Sequence, residues 1–375
     1  MPRTPRKPPG RKKGYRTFIG SKRKGQRQYR SCLSKVNCSP GSWHLEQASN
    51  SDEKHEAEVL EVAQASQMAE QNTSGTLDVE SKCDVLDREK MDPEQSSAGF
   101  HGFAPFRWHL YRSVVSEDSG SSRRREYFAS EIDLDAIAVQ RKRFPVAVTR
   151  VGCVKSLDEK RLDELGLINL LIGGSPCNDL SRVNPARRGL YGEGSTGQLF
   201  FEYIRVLKHL KKSAKERGET LYYLYENTFN MDLDTMEKMI ECFGHDPKIV
   251  CASSFVPMVR RRIYFHNLPD PDEDHVPRVV LPLQAYLDHE KTANVNILPT
   301  VTTNSSNQRK KDKFPVIDEY GEGCLLTVNE LEVLFGFESG YTDNGKLSIS
   351  KRRHLIGLSW VVPVVAHLLQ PLQNL

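Results

Sequence analysis

The sequence has no pair of cysteines in a C-x-x-C arrangement, although its 375 residues include eight cysteines. Zinc fingers and zinc ribbons need such closely spaced thiols, so this kind of metal site is not expected. No secretory leader precedes the cysteines, and we expect them to be reduced intracellular thiols. Apolar runs also stay short of the roughly 20 residues that a membrane-spanning helix needs. The sequence therefore predicts no zinc ribbon, no disulfide framework and no membrane span.

Acidic residues are missing from positions 1–30, which contain twelve Lys or Arg, whereas residues 46–94 are acidic and polar. A hydrophobic content of 38% is low for a wholly globular chain. We therefore predict that residues 1–100 form a disordered basic arm followed by an acidic linker. The arm could be a nuclear-import signal, which places the protein in the nucleus, a non-specific hold on nucleic acid phosphates, or a solubilising tail.

Beyond residue 101 the hydrophobic pattern alternates between strands and helices. This alternation predicts a doubly wound, parallel α/β sheet of the Rossmann-like type, with Asp133 as the N-cap of the first helix. Residues 101–269 would form the main α/β domain, residues 270–325 a small loop-rich insertion, and residues 326–375 helices that complete the domain. The predicted strands are 126–132, 147–151, 168–172, 220–225, 248–253 and 262–266, and the predicted helices between them are 133–143, 158–166, 198–213 and 232–243.

Candidate chemical groups follow the ends of these strands. Cys177 comes after Pro176 in the loop that leaves strand 168–172, and Glu226 closes strand 220–225. A lone cysteine is more often a small buried hydrophobe than a nucleophile. However, the carboxyl ends of parallel strands share one crevice, where ligands bind in open α/β sheets. A thiol, a carboxyl and the guanidinium groups of the Arg260 to Arg262 run are therefore expected to converge.

Four motifs occur in an order typical of one enzyme family. They are GGSPCND at 173–179, YEN at 225–227, Arg260-x-Arg262, and GLSWVVPV at 357–364. In this order the sequence resembles the DNA (cytosine-5) methyltransferases, and SPCNDLSRVNPARRGLY is similar in particular to the de novo class of animals. The resemblance runs from about residue 126 to the C-terminus. It implies a class I methyltransferase fold, S-adenosylmethionine as cofactor, and cytosine in DNA as substrate, with residues 270–325 as the target-recognition insertion.

The resemblance also assigns roles to individual residues. The Cys177 thiolate would add to carbon 6 of cytosine, Glu226 would hydrogen-bond or protonate ring nitrogen 3, and Arg260 and Arg262 would orient the base or a phosphate. The base must leave the duplex, so the loop 178–197 would enter the DNA with Val183 filling the space. The remaining DNA-binding candidates are Asn178, Arg187, Arg188 and Asn304. The two loop arginines could equally be a solvated charge pair.

Further positions match the cofactor and self-association surfaces of that family. The cofactor residues would be Glu131, Val154 and Trp360. Contacts with a second copy or another methyltransferase subunit would use Phe200, Phe201, Asp343 and Arg352, although the spacing of the two phenylalanines fits core packing equally well.

The sequence departs from the family pattern in two places. The family opens its domain with a glycine-containing loop for the cofactor, yet residues 104–119 contain no glycine. Asn304 stands where the de novo enzymes have an arginine that reads guanine. Two alternatives therefore stay open, namely an inactive DNA-binding or accessory subunit and an RNA (cytosine-5) methyltransferase of the same fold.

Overall fold

The structure, a computed structural model, describes residues 108–115, 123–271, 279–304, 308–309 and 313–374. The predicted basic arm and acidic linker, residues 1–100, lie outside the described residues. Seven helices are labelled within these ranges: α1 Leu134–Arg143, α2 Glu159–Glu164, α3 Leu199–Glu216, α4 Leu233–Phe243, α5 Val328–Leu334, α6 Ile349–Leu358 and α7 Val362–Leu369.

The central sheet has seven strands: β1 Trp108–Val115, β2 Arg123–Ser130, β3 Val148–Arg150, β4 Leu170–Gly173, β5 Tyr222–Thr228, β6 Lys248–Cys251 and β7 Arg261–His266. Each predicted strand and helix of the main domain is present, with bounds shifted by a few residues. The Asp133 side chain accepts from the backbone N–H groups of Asp135 and Ala136, which confirms the predicted N-cap of α1. Strand β4 is buried along its whole length, as expected for a central strand covered on both faces.

The order of strands in the sheet is β3-β2-β1-β4-β5-β7-β6. The pairs β2·β3 and β4·β5 are parallel, as predicted. Strand β7 is antiparallel to β5 and β6, so the prediction of a wholly parallel sheet is wrong. The sheet is mixed because hydrophobic periodicity identifies a strand without giving its direction.

Strand β1, which the sequence pattern did not predict, runs antiparallel to both of its neighbours. Its first residue, Trp108, pairs with Ser130 at the carboxyl end of β2 and with Gly173 at the carboxyl end of β4. The amino end of β1 therefore lies at the edge of the sheet where its neighbours end. The carboxyl end of β1, at Val115, lies at the opposite edge.

The segment predicted as an insertion contains a separate sheet of three two-residue strands, β8 Thr292–Ala293, β9 Val316–Ile317 and β10 Gly323–Cys324, in the order β10-β9-β8. Its apolar side chains nevertheless share one core with the main domain. Leu298 and Val301 are almost fully buried in the same cluster as Leu170 of β4 and Leu224 of β5. This shared core holds the insertion against the sheet.

Helices α6 and α7 return the chain to the main core. By length and composition, residues 349–373 contain an 18-residue window apolar enough to cross a membrane, with a mean hydropathy of 1.7, although no such stretch was expected. The packing accounts for this composition, because Ile356, Val364 and Leu368 are buried in the main cluster. The same stretch also carries Arg352, whose guanidinium binds a buried carboxylate.

Candidate active site

The proposed thiol lies just beyond the carboxyl end of β4, where the chain crosses the neighbouring strand β5. Gly173 pairs with Tyr225, which brings the next residue, Gly174, against Glu226. A Cβ atom on Gly174 would lie 2.8 Å from the Glu226 carbonyl oxygen and 3.3 Å from the carboxylate Oε2. Glycine is therefore required here, and the close approach places the segment leading to Cys177 beside Glu226.

A buried hydrogen-bond network fixes the position of the segment that leads to Cys177. The Ser175 hydroxyl lies 2.6 Å from the Tyr225 hydroxyl, and Asn227 Nδ2 donates to the Ser175 carbonyl at 3.1 Å and to the Tyr225 hydroxyl at 3.0 Å. Burial raises the pKa of Tyr225, so the phenol stays neutral and can donate. The sequence analysis assigned no role to Ser175, Tyr225 or Asn227, although the last two belong to the YEN motif. They make the thiol-bearing segment rigid.

The carboxylate of Glu226 is held from both sides. Arg262 Nε lies 2.9 Å from Oε1, and Trp360 Nε1 donates to Oε2 at 3.1 Å. The side chains of Arg262 and Glu226 are only 14% and 13% exposed. A shielded, hydrogen-bonded ion pair of this kind fixes the direction of the carboxylate oxygens. The structure thus brings together Glu226, Arg262 and Trp360, which were predicted from three separate motifs.

Arg260 takes a different position from the predicted one. Its terminal nitrogens donate to backbone carbonyl oxygens, with NH1 to Val301 at 2.6 Å and NH2 to Ser359 at 2.9 Å and Gly357 at 3.2 Å. Burial and the charge of Arg262 lower the pKa of Arg260. The terminal nitrogens are therefore occupied by protein carbonyls rather than free to orient a base. Arg260 instead joins the insertion to the end of α6.

Cys177 and Arg262 line an open cleft of about 820 Å³. Its other walls come from the loop after Cys177, including Asn178 and Val183, and from the insertion, including Asn304. Val183 is 68% exposed, so its apolar side chain is accessible to a ligand. The geometry thus brings Cys177, Arg260 and Arg262 to one cleft with the DNA-binding candidates Asn178, Val183 and Asn304, whereas Glu226 and the two loop arginines do not line it.

The two loop arginines bind protein carboxylates. Arg188 Nε and NH2 each lie 3.1 Å from the Asp179 carboxylate, which also accepts from the Thr196 N–H and hydroxyl at 2.8 and 2.9 Å. These bonds, Arg188 foremost, hold the pKa of Asp179 well below its usual range. Arg187 binds both carboxylate oxygens of Asp232 at 3.0 Å. The two guanidinium groups therefore hold the loop, and they are not a free solvated pair.

One exposed loop residue was missed by the sequence reasoning. Arg182 precedes Val183, is exposed, and within the described residues its side chain makes no hydrogen bond or ion pair. Arg182 lies within the SPCNDLSRVNPARRGLY segment, which resembles a known family as a whole, so nothing in the sequence singled out this residue. The loop thus carries one arginine that is not bound to a carboxylate of the described chain.

The residues predicted to hold the cofactor fit its adenosine end. Glu131, 9% exposed, follows the carboxyl end of β2, and its Oε1 accepts from the N–H groups of Ile132 and Asp133 at 2.8 Å. Within the described residues its Oε2 accepts no hydrogen bond, so it can accept from ribose hydroxyls. Val154 is buried at the turn after β3, and Ile132 exposes 67% of its apolar side chain at the same edge. A carboxylate beside apolar side chains suits a nucleoside.

Strand β1 lies within residues 104–119, where the family would have its glycine-containing cofactor loop. Because β1 is antiparallel to β2 and β4, its carboxyl end lies at the edge of the sheet opposite to Glu131 and Gly173. Within the described residues, no group of three His, Cys, Asp or Glu side chains is placed to hold a metal ion.

The predicted self-association residues differ in accessibility. Phe200 is fully buried and packs with Tyr225 and Phe243, and Arg352 is 8% exposed and binds the buried Glu332. The prediction that these two side chains contact a partner is therefore wrong, because the core of this chain already surrounds them. Asp343 is exposed and Phe201 is half-buried beside Tyr191, with ring centroids 5.5 Å apart. These two positions stay predictions.

Part of the chain is similar in sequence to known proteins. Residues 120–268 match the family model of the C-5 cytosine-specific DNA methylases, which is less than half of the chain. A segment of 58 residues is 47% identical to DNA (cytosine-5)-methyltransferase DRM1 of Arabidopsis thaliana, covering 15% of this chain and 9% of that protein. A segment of 140 residues is 29% identical to the type II methyltransferase M.NgoPII of Neisseria gonorrhoeae, covering 36% of this chain and 39% of that protein. The chain thus spans well under half the length of either relative.

The fold is also found in a solved structure. The crystal structure of DNMT2 from Spodoptera frugiperda superposes with a TM-score of 0.50 at 16% identity, over 65% of this chain and 91% of that one. This likeness confirms the predicted class I methyltransferase fold. The methyl donor of the C-5 cytosine methyltransferases is S-adenosylmethionine, as the sequence resemblance implied. The likeness to the animal de novo class stays a prediction.

Proposed function

We propose that this chain transfers a methyl group from S-adenosylmethionine to carbon 5 of cytosine in DNA through a covalent adduct with Cys177. One observation carries the proposal. The Glu226 carboxylate is fixed by Arg262 and Trp360 next to the segment that bears Cys177, and Cys177 and Arg262 open into the same cleft. A thiol and an oriented carboxyl are the two groups that activation of carbon 5 requires.

The first step is addition of the thiolate to the ring. The electron pair of the Cys177 sulfur forms a bond to carbon 6, and the electrons of the carbon 5–carbon 6 double bond move through carbon 4 towards nitrogen 3. Glu226, once its carboxylate has taken up a proton from solvent, donates that proton to nitrogen 3, so no full negative charge develops on the base. The proton returns to Glu226 when the adduct breaks down. The product is an enamine, in which carbon 5 is nucleophilic. Arg262 keeps the carboxyl of Glu226 aimed at this position.

The later steps restore the enzyme. Bound S-adenosylmethionine supplies an electrophilic methyl carbon, which carbon 5 takes up. Loss of the carbon 5 proton to solvent then reforms the double bond, and the sulfur–carbon 6 bond breaks as its electron pair returns to the Cys177 sulfur. Glu131 and Val154 would hold the adenosine end of the cofactor through the free carboxylate oxygen and an apolar contact.

Access to the base requires flipping, because carbon 5 and carbon 6 are stacked inside a duplex. The exposed Val183 would fill the vacated space, and Asn178 and Asn304 line the cleft that would receive the base. Asp179 and Asp232 hold the loop in shape through Arg188 and Arg187. The basic arm at residues 1–30 would add phosphate contacts and direct the protein to the nucleus, and Phe201 and Asp343 are available for a partner subunit.

A trapping experiment tests the proposal. The full chain is incubated with S-adenosylmethionine and a duplex that carries 5-fluorocytosine, in which fluorine replaces the carbon 5 proton and cannot be eliminated, so that the adduct persists. We expect a denaturant-stable protein–DNA complex in the wild type and none in Cys177→Ser, with tryptic peptide mapping locating the adduct at Cys177. A matched Cys242→Ser variant, which changes a half-buried cysteine in α4, should still form the complex.

The other possible outcomes of this experiment distinguish the rival functions from the proposed one. DNA binding without any trapped complex would overturn the catalytic proposal in favour of an accessory DNA-binding subunit. Trapping on a matched RNA but not on DNA would overturn the assignment of DNA as the substrate. Salt-dependent binding of the full chain, compared with a chain lacking residues 1–30, measures how many phosphate contacts the arm supplies.

A further inference from the structure

Glu226 lines a second cavity, which is much smaller than the cleft that contains Cys177. This small cavity has a volume of about 10 Å³, and Tyr264 of β7 also lines it. Arg262 lines both the small cavity and the cleft. A space of roughly 10–15 Å³ with polar groups in its wall is what one buried water molecule needs. The small cavity therefore has the size and the polarity of a site for a single water molecule.

Tyr264 is the residue that faces Glu226 across the sheet. The two residues pair directly between the antiparallel strands β5 and β7, so their side chains share one face of the sheet. Tyr264 is only 3% exposed, and within the described residues its hydroxyl forms no hydrogen bond to a protein group. A buried phenol hydroxyl normally has a partner. A water molecule in the small cavity would be that partner and would also reach the Glu226 carboxylate.

Glu226 needs a source of protons that does not depend on the cleft. Its carboxylate is paired with Arg262 and must take up a proton before it can give one to nitrogen 3 of cytosine. A flipped base in the cleft would exclude bulk water from that side. The Glu226 side chain is itself only 13% exposed. The proton therefore has to come from a group that already lies beside the carboxylate.

We propose that Glu226 takes its proton from one water molecule held in the small cavity, and that the Tyr264 hydroxyl holds this water and replaces its proton. This inference rests on the proposed function and names the source of the solvent proton used there. An O–H bond of the water breaks as its proton passes to the carboxylate, and the Tyr264 proton passes to the resulting hydroxide. The Tyr264 oxygen keeps the electron pair as a phenolate, and these transfers reverse when the adduct breaks down. Tyr264 acts through Glu226 and is a positioning residue.

The charges around Tyr264 suit this exchange. Burial and the negative charge of Glu226 raise the pKa of Tyr264, so the phenol keeps its proton while Glu226 is ionised. Arg262 and Arg260 act on the same pKa in the opposite direction. Protonation of Glu226 removes its negative charge and leaves both guanidinium groups to stabilise the phenolate. The proton can therefore move towards the base and return without exchange with bulk solvent.

The test compares single-turnover methyl transfer by the wild type and by Tyr264→Phe, with S-adenosylmethionine and DNA both saturating. Phenylalanine removes only the hydroxyl, so Glu226 must then collect its proton from bulk solvent, whose supply falls as the pH rises. We expect the variant to be about tenfold slower than wild type at pH 6.5 and about 300-fold slower at pH 8, within the range of about 10²–10⁴ that a proton donor contributes at its best. The ratio of the two rates is used because ionisation of the Cys177 thiol affects both proteins equally.

Tyr223→Phe is the matched control. Tyr223 is also buried, on β5, and its hydroxyl binds His245 Nε2 at 2.8 Å. Its side chain lies on the other face of the sheet from Glu226, because side chains alternate along a strand. The rate of Tyr223→Phe relative to wild type should not change with pH. If the deficit of Tyr264→Phe is likewise independent of pH, the hydroxyl has only a structural role and the inference is overturned.

A second variant tests the water molecule. Val364→Ile adds one methylene group to the wall of the small cavity and leaves the Tyr264 hydroxyl in place. We expect the same pH-dependent loss as in Tyr264→Phe, because the space for the water is filled. A wild-type profile in Val364→Ile would overturn the water-mediated route. Urea unfolding checks that each variant is folded, and Val364→Ile carries the test if Tyr264→Phe is not.

Failure of the proposed function gives a different result. If the wild type transfers no methyl group and forms no complex with the 5-fluorocytosine duplex, the proposed function fails and the inference about Tyr264 fails with it. If the wild type is active but the rate ratios do not depend on pH, only the inference about Tyr264 fails.

Discussion

Nε of Arg262 lies 2.9 Å from Oε1 of Glu226, and both side chains are largely shielded from solvent. The pair fixes the carboxyl that the proposed mechanism needs at ring nitrogen 3. Replacing this carboxyl with an amide of the same shape should therefore affect chemistry far more than binding.

Glu226→Gln is expected to lower the single-turnover rate of methyl transfer by about 10² to 10⁴, because an amide cannot deliver the proton. The affinity for DNA should change by no more than a few-fold. Glu202→Gln, which alters a surface ion pair with Arg205 on α3, is the matched control. A Glu226→Gln rate within tenfold of wild type would contradict the assigned role.

Asp179→Asn should loosen the loop that carries Arg182 and Val183. The substitution removes the charge that binds Arg188, and losing a charged acceptor in a largely buried site costs about 1–3 kcal/mol. We expect faster limited trypsin cleavage within residues 178–197, measured by mass spectrometry, and weaker trapping of 5-fluorocytosine duplexes. The exposed Asp246→Asn variant should behave as wild type. Unchanged cleavage in Asp179→Asn would show that this ion pair does not order the loop.

Gly357→Ala tests the contact between α6 and the insertion. A Cβ atom there would lie 2.5 Å from the Thr303 nitrogen and 2.6 Å from the Thr302 carbonyl carbon. The insertion backbone must move, and overpacking of this kind destabilises a protein by about 1–3 kcal/mol. Urea unfolding should show this loss, whereas Ser350→Ala on an exposed position of the same helix should not. A stability equal to wild type would mean that the insertion moves freely against α6.

The acid sensitivity of the fold should depend on His266. Burial, together with Lys248 and His245, lowers the pKa of His266 to about 4, whereas an unfolded histidine titrates near 6.5. Between these values the unfolded state binds more protons, so the contribution to stability is complete above about pH 6.5 and is lost as the pH falls towards 4. The full effect is at most about 3 kcal/mol.

His266→Asn can still accept the hydrogen bond from the Leu268 N–H but does not titrate in this range. The free energy of unfolding in urea, measured at pH 4.5 and pH 7, should therefore differ less in this variant than in the wild type. His289→Asn, at an exposed position, is the control. An equal pH dependence in wild type and His266→Asn would assign the acid sensitivity to other groups.

Local chemistry explains which features the sequence predicted well. Asp133 caps α1 because a short carboxylate before a helix meets its first free N–H groups, and such a signal lies within four residues. Cys177 and Glu226 were placed at one edge because β4 and β5 are parallel neighbours, which their alternation with helices indicated.

Distant partners explain what the sequence did not predict. Trp360 reaches Glu226 from 134 positions away, and Arg187 reaches Asp232 from 45 positions away. No periodicity links such pairs, so Arg187 was expected to face DNA. The carbonyl groups that bind Arg260 belong to two other segments of the chain, so the sequence pattern did not predict these contacts either. The direction of β1 depends on hydrogen bonding with strands on both sides, which composition does not encode.

Strand β1 has a practical consequence for truncated forms of this protein. It is the strand that connects β2 and β3 to the other half of the sheet, since β2 and β4 pair with it and not with each other. A chain trimmed to the region of family similarity, which begins at residue 120, would lose it. Strands β2 and β4 would then carry unpaired edges, which readily join other chains. Such a truncation is expected to aggregate during expression, whereas a chain that keeps β1 should stay monodisperse.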